Sequence, residues 1–208
     1  MTNTDHESPA DPAAGDLTAH ARHRTANLFQ LLTTLTRMRI QRTRDVVARR
    51  QLNWLLEAMG ALGVQQRRLW STDGDDFSQF LADMEPLWLR RCAGRPITVE
   101  VRAAPVAAPE QLASALSLIV NELVGNAIDH AFVDGRAGRI EVRLEVIDGA
   151  RACLAVVDDG QGYDPAAVGQ ETLGLWLVNG LTAQLHGELS TTTTGGVSAR
   201  LVFPIESA

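Results

Sequence analysis

The sequence contains no lysine; all 19 of its basic residues are arginines. Any phosphate bound here must therefore meet a guanidinium, backbone N–H groups, a metal or a neutral side chain. Cysteine is scarce as well. Cys92 and Cys153 lie far apart and have neither metal-ligand nor redox spacing, so a reducing compartment, the cytoplasm, is expected. No apolar run approaches the length of a membrane span, and the acidic, polar N-terminus lacks the form of a signal peptide. An excess of positive charge is also missing. The net charge of −6 argues against nucleic acid as the main partner. What remains is a 208-residue chain of ordinary apolar content, enough for one domain or two small ones.

The most informative stretch is 116–132, LSLIVNELVGNAIDHAF, which reads as one long helix. Leu116, Ile119, Leu123 and Ile128 give an apolar stripe at roughly helical spacing. Glu122, Asn126 and His130 are four residues apart and stack on another face. A carboxamide oxygen is a hard metal ligand, and a carboxylate one turn away can orient or deprotonate a nucleophile. A plain solvent-facing polar surface would show the same spacing, so the rest of the chain has to decide.

Residues 1–16, rich in Ala, Asp, Pro, Ser and Thr, read as a disordered tail. Residues 17–41 read as a helix with Leu28, Leu31, Leu35 and Met38 along one packing seam. His23 lies about 140° round that helix from Leu28, away from the seam, with Asn27 one turn on. A second helix over 45–69 carries Val46, Leu52, Leu55, Leu56, Met59 and Leu62. One helical hairpin buries too little to be stable alone, so pairing into a dimeric four-helix bundle is expected. The polar turn STDGDD at 71–76 marks a domain boundary near 73/74.

Beyond it, 77–91 reads as a helix and 97–101 as a strand. Pro109 suits the start of the central helix, near Glu110. Strands at 140–146 and 153–157 form a hairpin turning at Asp148-Gly149-Ala150. The second strand runs into Asp158-Asp159-Gly160-Gln161-Gly162, where a carboxylate precedes two glycines. Such a turn lets backbone approach a ligand closely, and an ionised Asp can accept from an exocyclic amino group such as that of adenine. Gly174 opens an apolar helix over 175–185, whose free N–H groups suit phosphate. Residues 163–172 then read as a short lid, and 188–192 and 197–203 as closing strands that turn at Gly195-Gly196.

Taken together, the pieces resemble a bacterial sensor histidine kinase core of the H-R-x-x-N acceptor subfamily (HWE-like) with a GHKL-type ATPase domain. His23-Arg24-Thr25-Ala26-Asn27 matches the acceptor motif and NELVGNAIDHAF at 121–132 the asparagine box. DDGQG at 158–162 and LGLWLV at 173–178 match the two glycine boxes. The four occur in family order from about residue 17 to the C-terminus.

The resemblance implies an α+β architecture. A hairpin over 17–73, for dimerisation and phosphotransfer, precedes an α/β sandwich ATP-binding domain over 74–208. It implies ATP and Mg²⁺, with Asn126 as metal ligand and Glu122 as neighbouring general base. Asp158 would hold the adenine amino group, and Gly160, Gly162, Leu173, Gly174 and His130 would complete the ATP site. His23 would take the γ-phosphoryl group, supported by Arg24 and Asn27, and pass it to an aspartate on a response regulator. Two departures stand out. Asp129 stands where the family usually has a basic residue and is expected to repel phosphate. No sensor domain precedes the acceptor helix, so input is expected from a separate partner protein, unless the protein is constitutive or works mainly in phosphotransfer or as a phosphatase. Two rival readings are a serine kinase acting on an anti-sigma antagonist and a phosphotransfer or binding module with a decayed ATP site.

Overall fold

The computed structural model describes residues 12–69, 75–163 and 172–205, with side chains in the first of these from Arg24 to Arg68. The chain divides into two compact units between Leu56 and Glu57, inside the second helix. The boundary expected at 73/74 lies outside the described residues.

The first unit holds α1 (Pro12–Arg42) and the start of α2 (Val46–Leu69). α1 begins earlier than the expected 17, because Pro12 is well suited to a first helical turn and two alanines follow it. Asp45 starts α2: the Ala48 N–H donates to its Oδ1 at 2.7 Å. The apolar seam of α1 is open in the single chain. Leu28, Leu31, Leu32 and Leu35 are 52–59% exposed, as are Val46 and Val47 of α2 at 61–65%.

In the second unit, five strands form one mixed sheet in the order β1-β2-β3-β5-β4. These are β1 (Ile97–Ala103), β2 (Gly138–Asp148), β3 (Arg151–Asp158), β4 (Glu188–Thr192) and β5 (Ser198–Pro204). β1 runs parallel to β2, and every other pairing is antiparallel. Cross-strand partners Val142–Val156–Ala199 and Leu144–Leu154–Leu201 stack buried side chains on one face. Three helices cover that face: α3 (Phe77–Arg91), α4 (Glu110–Asn126) and α5 (Leu173–Gln184). The opposite face carries charge, with Glu141 buried among Arg102, Arg139 and Arg143. The Arg143 hydrogen bond leads in holding the Glu141 carboxyl below its usual range.

α3 is capped by Asp76, whose Oδ1 accepts from the Ser78 and Val106 N–H groups at 2.9 and 3.2 Å. Its Phe77 and Phe80 stack at 5.0 Å and are fully buried. Trp88 donates to the Oδ1 of Asn121 on α4 at 3.3 Å. The asparagine that opens the NELVGN stretch is therefore a packing residue. Ala61 and Val64, from the last turns of α2, join this same core.

The central helix corrects one expectation. It is not one regular helix to 132: α4 ends at Asn126, and Ala127–Ala131 forms a single wider turn of π type. The carbonyls at the end of that turn serve the glycine loop, where the Gln161 N–H reaches Ala131 O at 3.0 Å and Gln161 Nε2 reaches His130 O at 3.2 Å. Glu110–Ala131 is also long and apolar enough to cross a membrane by length and composition. Two-thirds of its most apolar stretch is buried inside the fold, and it serves as the core helix.

Candidate functional site

The end of β3, the glycine loop, the π turn and the start of α5 enclose a cavity of about 330 Å³, within the usual range for a small-molecule pocket. Asn126 and His130 line it from the α4 side, Asp158 from the sheet, Gly162 and Tyr163 from the loop, and Thr172 from the helix start. The sequence-expected residues Asn126, His130, Asp158 and Gly162 thus meet around one space.

Asp158 is only 5% exposed. Its Oδ1 accepts from the Gly160 N–H at 2.9 Å and the Val197 N–H at 3.2 Å. Both bonds end on Oδ1, so among the described residues Oδ2 is the oxygen left to accept from a ligand amino group. Burial is the leading cause that raises the Asp158 carboxyl above its ordinary range, against the two backbone bonds that lower it. The adjacent Asp159 turns away. Its Oδ1 accepts from the Arg139 N–H at 2.8 Å, which ties the loop to the start of β2. Of the two adjacent aspartates, Asp158 is the one in the cavity wall. Gly162 has φ +66°, the left-handed region, and a Cβ there would collide with Thr193 O.

Thr172 caps α5: its Oγ1 accepts from the Leu175 N–H at 3.3 Å. Gly174, the second residue of the helix, is where the Glu122 carboxylate packs, and a Cβ at Gly174 would collide with Glu122 Oε1. This glycine therefore makes room for the carboxylate of α4 at the positive end of α5. Glu122 and Gly174 adjoin the cavity but are not in its lining, and Gly160 packs against Ala131 behind it. Leu173 is 51% exposed and also outside the lining.

Asp129 does not face the cavity. Its Oδ2 pairs with Arg91 Nη2 of α3 at 2.6 Å, and Arg91 Nη1 pairs with Glu57 of α2, also at 2.6 Å. The repulsion expected from Asp129 is corrected accordingly: its charge is engaged by a guanidinium. Burial is the first cause raising the Glu57 carboxyl; Arg91 lowers it, and Asp129 and Glu122 raise it further.

His20 and His23 lie on α1, but their side chains, like residues 164–171 of the expected lid, are outside the described residues. Arg24 and Asn27 are exposed on the same helix. Cys92 and Cys153 are buried and free.

Sequence reading missed Val156, Ala199 and Thr191, which also line the cavity. A signal for them existed. Val156 is two residues before Asp158 on β3, hence on the same face; Ala199 pairs with Val156, and Thr191 with Ala199. Tyr163 and Gln161 carried no such signal, because loop side chains have no period.

Mg²⁺ commonly takes one or two protein oxygen ligands, with phosphates and water completing its shell. Asn126, which lines the cavity one turn from Glu122, fits that need. Among the described residues no group of three or more His, Cys, Asp or Glu side chains could hold a metal by itself.

Residues 111–207 match the family described as histidine kinase-, DNA gyrase B-, and HSP90-like ATPase. The match covers a little under half of the chain, and the chain that carries it is similar to sensor histidine kinase cores. Blue-light-activated histidine kinase 2 of Erythrobacter litoralis is 35% identical over 112 residues, 52% of this chain and 32% of that protein. Blue-light-activated histidine kinase 1 of the same organism is 26% identical over 199 residues, 91% of this chain and 53% of that protein. The chain thus spans about half or less of these relatives. The solved histidine kinase domain of the Erythrobacter litoralis EL346 blue-light-activated histidine kinase shares the fold. Its TM-score is 0.69 at 21% identity, covering 86% of this chain and 94% of that one.

Proposed function

We propose that the chain is the core of a two-component sensor histidine kinase. It binds ATP with Mg²⁺ in the cavity of the second unit, phosphorylates His23 on α1, and passes the phosphoryl group to an aspartate on a response-regulator receiver domain. The observation that carries this reading is Asp158, a buried carboxylate whose Oδ2 is left to accept an amino group. Charged hydrogen bonding of that kind selects adenine over a base that offers a carbonyl at the same place.

Phosphoryl transfer is mostly positioning and charge neutralisation. The Asn126 carboxamide would hold Mg²⁺, which supplies charge neutralisation at the phosphates when bound. The α5 N-terminus offers N–H groups to a phosphate, and Glu122 stands beside it to orient or accept a proton. Neutral His23 attacks the γ-phosphorus while the bond to the ADP oxygen breaks. Asn27, one turn on, would hydrogen-bond the ring and fix its tautomer, and Arg24 would meet the phosphate. The open seam of α1 supports a homodimer, with the seam buried in a four-helix bundle. The two free thiols support the cytoplasm as its location.

Calorimetry with a non-hydrolysable ATP analogue, with and without Mg²⁺, tests the nucleotide part. Mg²⁺ should tighten binding to the wild type and leave Asn126→Ala unaffected. Absence of binding to the wild type would favour a decayed module that docks receiver domains.

A further inference from the structure

Arg91 belongs to none of the motifs in the chain, yet its guanidinium grips the asparagine helix on both sides of Asn126. Before Asn126, it lies 3.1 Å from where a Cβ of Gly125 would stand. After Asn126, it holds Asp129, in the middle of the π turn, at 2.6 Å. Its other arm holds Glu57 on α2 at 2.6 Å. The Arg91 side chain is only 25% exposed, and its bond to Glu57 is partly shielded from water while the one to Asp129 stands at the surface. Gly125 eases the approach, since a Cβ there would make the guanidinium give by a few tenths of an ångström.

We propose that Arg91 is a positioning residue for the nucleotide-bound metal, acting through Asn126. The proposal rests on the nucleotide reading above. The π turn changes the direction of the residues that follow Asn126, so the path of the helix at this point is set by whatever holds the turn. Arg91 holds it, and a guanidinium fork does so in fixed geometry, where a lysine ammonium would act as a point charge. The Glu57 arm adds a consequence. Arg91 is shared between the α2 carboxylate and the π-turn carboxylate, so losing one partner changes its hold on the other. The residues in this site are thereby coupled to the segment of α2 that packs in the same unit.

The test compares wild type with Arg91→Ala, Arg91→Lys, Glu57→Gln and the exchanged pair Arg91→Asp with Asp129→Arg. The reading is the ratio of affinities for an ATP analogue with and without Mg²⁺, together with the affinity for adenosine. Partners that orient a metal ligand are typically worth about 10- to 100-fold in metal affinity. Arg91→Ala should therefore lose roughly 10-fold in the Mg²⁺-dependent ratio and keep adenosine affinity. Arg91→Lys should fall between, and the exchanged pair should recover only part of the ratio, because it loses the Glu57 arm. Glu57→Gln should shift the ratio without affecting adenosine. A merely structural role would lower adenosine affinity and melting temperature together, or leave the ratio unchanged, and either result overturns the proposal. An unchanged ratio in Arg91→Ala beside a Mg²⁺-responsive wild type sinks the role of Arg91 alone. A wild type that binds no nucleotide sinks the functional reading and this inference with it.

Discussion

Asp158 shows both how much a single residue could say and where it fell silent. A carboxylate before two glycines pointed to a close-approach turn, and the turn is there. That Asp158 rather than Asp159 would hold the adenine was implied by the resemblance and fits the strand period through Val156; what the sequence did not show was the pair of backbone N–H groups on its Oδ1, since Val197 is remote along the chain. The raised pKa of Asp158 leads to a sign that can be checked. A carboxyl raised in the fold contributes stability below its ordinary value, near 3.9, which is lost as pH rises through the raised native value. At neutral pH the buried charge is therefore a cost. Asp158→Asn keeps an oxygen for the Gly160 and Val197 N–H groups and removes that charge. Its melting temperature should equal or exceed that of the wild type at pH 7, with the difference closing below about pH 4. The same variant should bind an ATP analogue about 10- to 100-fold more weakly, since a charged hydrogen bond is worth about 1.5–3 kcal/mol. Unchanged nucleotide affinity with a normal melt would take Asp158 out of the site.

Among the elements, those with a strong period were the most readable. α3 runs over Phe77–Arg91 and β4 over Glu188–Thr192, as the apolar spacing and strand composition predict. The π turn at Ala127–Ala131 was not readable: it depends on Gln161 and Arg91, which lie far away along the chain. Arg91 itself was invisible for the same reason, because its partners are 34 and 38 residues distant. The seam of α1 was legible as a stripe, and the structure leaves it about half exposed. Covering a leucine is worth about 1.5–3 kcal/mol, so a row of them strongly favours self-association. Leu31→Glu with Leu35→Glu should convert a sedimenting dimer to a monomer while nucleotide affinity stays unchanged. A wild type that is already monomeric at micromolar concentration would exclude the four-helix bundle.

For the whole molecule, the nucleotide cavity and the helix bearing His23 belong to different compact units. The order of motifs along the chain joins them into one chemical scheme, which a list of local contacts within either unit would not do. His20 and His23 are three residues apart, hence about 60° apart on α1. On the proposed reading Asn27, one turn beyond His23, would fix its ring, whereas Arg24, one turn beyond His20, could not accept an N–H. The most direct measurement is labelling with γ-³²P-ATP of the wild type, His23→Ala and His20→Ala, followed by acid and base treatment of the phosphoprotein. The expected result is an acid-labile, base-stable label that disappears in His23→Ala and persists in His20→Ala. A label that survives in both variants and resists acid would contradict histidine phosphorylation and assign the chain to serine kinases instead.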